Sequence, residues 1–196
     1  MAVIRNNTSA QHAYLDAARA NILAVGVKRT TLTDIARRAG VARMTLYRSW
    51  PDMMSLLGDL MTREWVEAAD KVAADEDDPS APAATRIVTR VCAIAQTMRE
   101  NALLQKVIDV DPEFLLPYVL NRRGRTQDQW LHTVVELVAS GHDDGSIRAG
   151  DPDLIARAIL LATMGFILSM PTMTDTADPA DLHLELRVLL ERYLSA

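Results

Sequence analysis

The chain has 196 residues, of which 49% are hydrophobic and 24% are charged. These proportions are those of a soluble globular protein, and they exclude a disordered or a collagen-like chain. The formal net charge of −5 by itself argues against a protein coated in basic charge for nucleic acid. Cys92 is the single cysteine, which excludes an intrachain disulfide and a cysteine-based zinc site and suits a reducing, cytoplasmic setting.

Neither the N-terminus nor the most apolar segment is typical of membrane targeting. Residues 1–9 contain one arginine and no apolar run, so we expect no signal peptide. Residues 158–170 are nearly all apolar, but a membrane-spanning helix needs about 20 such residues. Because this stretch ends at Pro171, we expect a buried core helix and no association with a membrane.

Helix-forming residues dominate the chain and no segment alternates with a period of two, so the predicted fold class is all-α. Capping residues, glycines and a proline mark several of the helix limits in the N-terminal part. The helices predicted there run from Thr8 to Gly26, from Thr31 to Gly40, over 42–48 and over 51–74.

An acidic segment with two prolines, residues 75–82, follows as a predicted linker. The pairs Asp151-Pro152 and Asp178-Pro179 are typical of helix starts, and residues 141–150 are a predicted loop. The helices predicted after the linker occupy 83–99, 101–109, 112–121, 125–140, 152–170 and 180–194.

Residues 31–50 have the spacing of two short helices that cross at a steep angle. The small Ala36 lies four positions before Gly40, and the apolar Val41 and Leu46 follow the glycine. The small residue permits close approach, the glycine permits a tight turn, and the apolar residues hold the second helix on the first. Such a helix can enter the major groove of DNA. Its exposed face would carry Arg43, Met44, Thr45, Tyr47 and Arg48.

This stretch resembles the DNA-binding domain of the TetR family of bacterial regulators. The resemblance covers residues 12–60 and rests on several positions at fixed spacing. The matching motifs, in order, are Asp34-Ile35-Ala36, Ala39-Gly40-Val41 and Thr45-Leu46-Tyr47.

Three positions depart from the family pattern. Trp50 replaces the usual phenylalanine and still suits an apolar anchor. Met53 occupies the position of a common lysine, which removes one phosphate contact. Ala42 replaces a common hydroxyl residue, so the third helix is expected to be less well capped.

The charge distribution agrees with this resemblance. Residues 1–65 hold nine basic and five acidic side chains, a net charge of +4. The remaining residues hold 12 basic and 21 acidic side chains, a net charge of −9. A basic end on an acidic body is what contact with phosphates at one pole requires.

Seven residues are the candidate contacts to a double-stranded DNA operator. Thr31 and Thr33 lie at a helix N-terminus, which favours a phosphate, although Thr31 could serve as a cap alone. Arg43 and Thr45 are candidates for contacts to base edges, because arginine can pair bidentately with guanine; Arg43 could instead meet only a phosphate. Met44 lies on the same face.

The resemblance implies phosphate contacts for Tyr47 and Arg48, although Tyr47 could mainly pack against the core. Lys28 and Arg29 are either further contacts or solvated charges. Arg5 could reach the minor groove from a flexible arm, with an inert tail as the alternative.

The resemblance also implies a helical domain for ligand binding and dimerisation in the rest of the chain. The predicted division is a helix-turn-helix domain over 1–51, a connecting fourth helix over 52–74, and this second domain over 75–196. A homodimer is expected to form through helix 152–170, with residues 127–140 and 180–194 beside it. Burial of that helix within one subunit is the alternative.

The candidate pocket consists of apolar and aromatic residues of the middle helices with two polar anchors, Gln96 and His132. The alternative is a core position, which is the commoner one for a methionine or an aromatic residue at helical spacing. Such a pocket predicts a hydrophobic small-molecule effector, whose binding would favour a dimer with wrongly spaced DNA-binding helices and so release a repressor. The other members of the predicted pocket are Trp65, Met98, Phe114, Tyr118, Trp130, Val134, Met164 and Phe166.

No motif for a catalytic nucleophile, a nucleotide loop or a metal-binding histidine pair occurs, so neither an enzyme nor a cofactor is predicted. The run from His142 to Asp144 could bind a metal, but a solvated loop is the expectation. A helical protein-interaction module without DNA binding remains the alternative function.

Overall fold

A computed structural model gives the fold of residues 2–76 and 78–196, with side chains described for residues 10–74 and 78–196. Every regular element in these ranges is helical, which confirms the all-α prediction. The α-helices are α1 (Ala2–Val25), α2 (Leu32–Arg38), α3 (Arg43–Ser49), α4 (Met53–Glu76), α5 (Ala83–Arg99), α6 (Ala102–Val110), α7 (Arg125–Asp143), α8 (Pro152–Ser169) and α9 (Pro179–Leu194).

The helix predicted over 112–121 was wrong. A 3₁₀ turn (Pro112–Phe114) and a π-helical turn (Pro117–Asn121) occupy this segment instead. Both begin at a proline, which has no N–H to donate within a continuing helix. The wide turn is closed by the Arg122 N–H, which donates to the Pro117 carbonyl oxygen at 2.9 Å. A short 3₁₀ turn (Met170–Met173) also follows α8.

Two predicted boundaries were also wrong. α1 begins at Ala2 and not at Thr8, whose side chain, like that of Arg5, lies outside the described side chains. α7 continues through Gly141 to Asp143, so the loop begins three residues later than predicted. Glycine suits position 141 because the Ile147 side chain packs against it. A Cβ atom on residue 141 would overlap this isoleucine side chain. Part of the predicted acidic linker belongs to α4, and Asp77 lies outside the described residues.

Polar side chains cap the N-termini of several helices by accepting hydrogen bonds from backbone N–H groups. The Thr31 hydroxyl accepts the Asp34 N–H at the start of α2, as predicted. Asp151 and Asp178 likewise accept N–H groups at the starts of α8 and α9. These bonds satisfy amides that have no partner within their helix.

The described chain packs as two compact units. The first contains the residues up to Glu64 together with Asn101–Arg123, and the second contains Trp65–Glu100 and Gly124–Ala196. This packing differs from the predicted division at residues 51 and 75, because α6 and the two turns after it belong with the N-terminal helices. The functional division of the chain stays a prediction.

The core of the first unit joins helices that are distant in sequence. Ile22 of α1, Ile35 of α2 and Leu46 of α3 are fully buried there. Leu103 and Val107 of α6 are buried in the same cluster. The short helices α2 and α3 are therefore held by α1, α4 and α6 together.

In the second unit, α5 packs against α7, α8 and α9. The prediction of a buried core helix over 158–170 was wrong in one respect: only about a third of the most apolar window of Pro152–Met173 is buried within the chain. Among the described residues, Pro152–Met173 is the one stretch long and apolar enough to cross a membrane by composition. A helix that packs in a core or an interface has the same composition.

The loop after α7 caps the start of α5, where Pro82 offers no side-chain cap. The Asp144 carboxylate accepts the Ala83 N–H at 2.9 Å, and the Ser146 hydroxyl accepts the Ala84 N–H at 3.1 Å. Hydrogen bonds from Ser146 and from the Ala83 amide lower the pKa of Asp144 below its ordinary value of 3.8.

We predict that Asp144→Ala lowers the denaturant midpoint more than Asp143→Ala, which removes the same charge from the neighbouring exposed position. A depressed pKa contributes stability above the unfolded-state value, and this contribution is lost as the pH falls through the folded-state value. The difference between the variants should therefore be complete at pH 7 and shrink below pH 3.8. Equal midpoints at pH 7 would contradict the capping role.

Candidate nucleic-acid interface and ligand cavity

The first unit presents α2 and α3 as a continuous helix-turn-helix. Gly40, between them, has φ +67°, a left-handed conformation that favours glycine. The turn is closed by the Val41 N–H, which donates to the Ala36 carbonyl oxygen at 3.0 Å, and by the Gly40 N–H, which donates to the Arg37 carbonyl oxygen at 3.3 Å. This is the tight turn that the glycine predicted.

Buried side chains fix the orientation of α3. Leu46 is fully buried beneath the helix, and Trp50 just after it is 2% exposed. The Trp50 indole N–H donates to Asp59 of α4 at 2.9 Å, and the ring meets the Tyr14 ring edge-on. Trp50 therefore serves as the apolar anchor that the sequence predicted, and it also has a polar partner for its nitrogen.

The N-terminus of α3 has no side-chain cap, as the alanine at position 42 predicted. The Arg43 guanidinium carbon lies 4.8 Å from the centre of the Tyr47 ring, one helical turn away. An Arg43 Nη2–H also donates to the Tyr47 hydroxyl at 3.3 Å. This stacking restricts the arginine and gives the half-buried tyrosine two contacts on the exposed face of α3.

The outward face of α2 and α3 is made of the side chains that the sequence singled out. Met44 is 65% exposed, and Arg48 is exposed without a hydrogen-bond or ion-pair partner among the described residues. Thr33 is exposed on α2, while Thr45 and Tyr47 are half-buried. We call this set, with Thr31 and Arg43, the α2–α3 surface.

Several side chains near this surface are already engaged. The Thr31 hydroxyl both accepts the Asp34 N–H and donates to the Asp34 carboxylate, so Thr31 caps α2. The hydrogen bond from Thr31 lowers the pKa of Asp34, and Arg37 pairs with the same carboxylate at 2.6 Å. Lys28 pairs with Glu113 at 2.5 Å, and this hydrogen bond raises the pKa of the lysine.

The second unit contains an apolar cavity of about 270 Å³ between α4, α5 and α7. Trp65 and Ala69 line it from α4, Ile87 and Val91 from α5, and Trp130 from α7. This volume lies just below the roughly 300–1,000 Å³ of typical small-molecule sites. The arrangement suits a compact, mainly apolar ligand.

Polar groups of the cavity cluster on α7 and near its rim. Thr126, Gln129 and Thr133 recur on one face of α7, while Asp70 and Arg90 add one charge of each sign. These groups were missed by the sequence analysis. The available signal was the spacing of these residues at helical intervals on α4, α5 and α7. Such spacing shows that residues share a helix face, but it does not show which other helix that face contacts.

Three of the ten predicted pocket residues, Trp65, Trp130 and Val134, do line the cavity. The other seven do not. Met98 is fully buried in the core, and Gln96 faces outward, where its amide donates to Glu100 at 3.2 Å. His132 is exposed and lies 3.3 Å from Glu136.

Four other predicted pocket residues also lie away from this cavity. Phe114 and Tyr118 belong to the first unit, where Phe114 packs on its core and the Arg122 guanidinium lies over the Tyr118 ring. Met164 and Phe166 are half-buried on α8, away from the cavity lining. Hydrophobic side chains at helical spacing do not reveal which core they join.

Among the described residues, no cluster of histidine, cysteine and acidic side chains is arranged to hold a metal ion. His142 instead lies with Nε2 at 3.0 Å from the Arg148 carbonyl oxygen, and Asp144 caps α5. The acidic run after α7 therefore has a structural explanation.

Comparison with known proteins gives three findings. Residues 15–60 match the family model described as "Bacterial regulatory proteins, tetR family". An uncharacterized HTH-type transcriptional regulator of Mycobacterium tuberculosis is 32% identical over 180 residues, which cover 92% of each chain. The matched range contains all of α2 and α3.

Solved structures share the fold over nearly the whole chain. A putative tetR family transcription regulator from Shewanella sp. PV-4 superposes with a TM-score of 0.68 at 20% identity, covering 95% of this chain and 98% of that one. FadR from Bacillus subtilis, solved in complex with stearoyl-CoA, has a TM-score of 0.67 at 18% identity, with coverages of 93% and 98%.

Proposed function

Because the chain belongs to the TetR family of bacterial regulatory proteins and is a helix-turn-helix transcriptional regulator, we propose that it is a cytoplasmic homodimeric repressor released from its operator by a compact hydrophobic molecule. This family is a class of regulators and not of enzymes. The observation that carries the ligand response is the apolar cavity between α4, α5 and α7.

Operator binding is assigned to the α2–α3 surface. The exposed Arg43 at the first position of α3 is the proposed base-reading residue, with Thr45 and Met44 beside it, because arginine donates bidentately to guanine in the major groove. Thr31, Thr33, Tyr47 and Arg48 are proposed to meet phosphates. The net charge of +4 on residues 1–65 supports this orientation.

The exposed apolar face of α8 and α9 supports a homodimer. Leu161 is 75% exposed and Leu154 is 63% exposed. The two residues are seven positions apart and therefore lie on the same face of α8. Leu184, Val188 and Leu189 extend exposed apolar surface on α9. Large exposed apolar side chains grouped on two helices are typical of an interaction site, and two copies of the chain could cover them in each other.

Release is proposed to follow from a shift between two populations. α4 contributes Leu57 and Leu60 to the core of the first unit, and Trp65 and Ala69 to the cavity wall. A ligand that favours one arrangement of α4 would favour a dimer whose α3 helices are wrongly spaced for the two half-sites. The ligand and DNA then bind to different states without direct competition.

The DNA assignment is tested with single substitutions on α3. We predict that Arg43→Ala weakens binding to an operator selected from a random duplex library by roughly 1–3 kcal/mol and relaxes the preference at one base pair. Tyr47→Phe and Arg48→Ala should weaken binding to all duplexes by the same factor, because the phosphate backbone is the same in every sequence. Fluorescence anisotropy on the operator and its single-base variants measures both effects. Equal losses on operator and random DNA for Arg43→Ala would refute base reading.

The cavity is tested by filling it. We predict that Ala69→Leu lowers binding of the neutral fluorophore N-phenyl-1-naphthylamine, because the added side chain occupies the apolar space. Ala74→Leu, on an exposed position of the same helix outside the cavity, is the matched control. Titration of probe fluorescence should separate the two variants while operator binding stays intact in both. Equal probe affinities would rule out this cavity as the binding site.

The homodimer is tested by placing a charge on the exposed face. We predict that Leu161→Glu gives a monomer in sedimentation velocity at micromolar concentration, since a carboxylate would be desolvated at the interface. Leu120→Glu is the matched control, because Leu120 is 71% exposed and lies outside α8 and α9. Wild-type protein that sediments as a monomer would defeat the proposal.

A further inference from the structure

A buried carboxylate holds the turn between α1 and α2. Asp111 is 2% exposed, and its Oδ2 atom accepts the Val27 N–H at 2.6 Å and the Lys28 N–H at 3.4 Å. Asp111 lies 84 residues after Val27 in the chain. Successive backbone N–H groups that converge in this way form an anion-binding concavity, which the carboxylate fills.

The turn is shaped around this oxygen. Gly26 has φ +86°, and a Cβ atom at this position would lie 2.6 Å from Asp111 Oδ2. The buried Thr30 hydroxyl donates to the Gly26 carbonyl oxygen at 2.7 Å and closes the turn from inside. Thr31, the cap of α2, follows directly. The position of the carboxylate therefore sets the point at which the chain enters α2.

Asp111 is itself fixed by α6. Leu103 and Val107 bury α6 in the core that also contains α2 and α3. The Asp111 N–H donates to the Val107 carbonyl oxygen at 3.0 Å, and Pro112 prevents the helix from continuing. A second link from the same segment, the ion pair of Glu113 with Lys28, joins the turn at its exposed side.

The Asp-Pro pairs that begin α8 and α9 use their aspartates differently from Asp111. Asp151 and Asp178 each accept an N–H of the helix that their own proline begins. The Asp111 side chain makes no cap bond to the 3₁₀ turn that follows it. Its carboxylate bonds instead to the turn before α2.

We propose that Asp111 is a positioning residue for operator binding, which orients the α2–α3 surface by holding the α1–α2 turn to the end of α6. This inference rests on the proposed DNA function. It makes α6, which lies outside the region matched by the family model, a part of the DNA-binding unit. A displacement of α6 would move the turn because the carboxylate joins them.

The test compares Asp111→Ala with Asp109→Ala, which removes the same charge from an exposed position of α6. The probes are a fluorescent duplex that the wild-type protein selects from a random-sequence library and an unselected duplex of equal length. Loss of a buried hydrogen bond to a charged acceptor predicts about tenfold or greater weakening on the selected duplex for Asp111→Ala. The weakening on the unselected duplex should be smaller.

Hydrogen exchange supplies a readout of the contact itself. Deuterium uptake over residues 26–38 should rise in Asp111→Ala and stay at the wild-type level in Asp109→Ala. Probe binding in the cavity should not change in either variant. If Asp111→Ala does not fold, Asp111→Asn and Asp109→Asn replace the pair, because asparagine keeps one oxygen acceptor and should weaken binding less.

The outcomes are distinct. Selective loss of affinity with raised exchange supports the positioning role. Equal affinities of the Asp111 and Asp109 variants for the selected duplex would overturn it, even if exchange rises. If the wild-type protein enriches no sequence from the duplex library, the proposed operator recognition is overturned before any variant is compared. The positioning role, which rests on it, is then overturned as well.

Discussion

A helix of seven residues is too short to be stable in water by itself, and both α2 and α3 have this length. Their stability must come from tertiary contacts. Ile35 and Leu46 supply these contacts by full burial, and Trp50 closes the end of α3 with its ring in the core and its nitrogen on Asp59. The geometry presented to DNA is consequently decided by α1, α4 and α6, whose side chains form the rest of that core.

Charge is divided along the chain in a way that the total conceals. A net charge of −5 is the sum of a basic N-terminal third and an acidic remainder. The basic side chains of the first unit are only partly available, since Arg37 and Lys28 already have carboxylate partners. Arg43 and Arg48 remain exposed on α3, and the proposed operator contacts rest on them.

The second unit combines two apolar surfaces with different consequences. The cavity between α4, α5 and α7 is small and concave, and tryptophans line it on two sides. α8 and α9 expose large aliphatic side chains, which supports the proposed contact with a second copy of the chain. Helices of very similar composition thus contribute to a core, a cavity and an exposed face.

Local signals in the sequence determined the all-α class, most helix limits, the glycine turn between α2 and α3, and the exposure of Arg43, Met44 and Arg48 on α3. These features depend on neighbours within one or two helical turns, where caps, glycine conformation and side-chain period act directly. Tertiary structure decided the cavity members, the irregular segment after α6, and the role of Asp111. Each of these depends on which faces of helices distant in sequence contact one another. The residue pattern of an apolar helix face is the same whether that face contacts a core, a cavity or another chain.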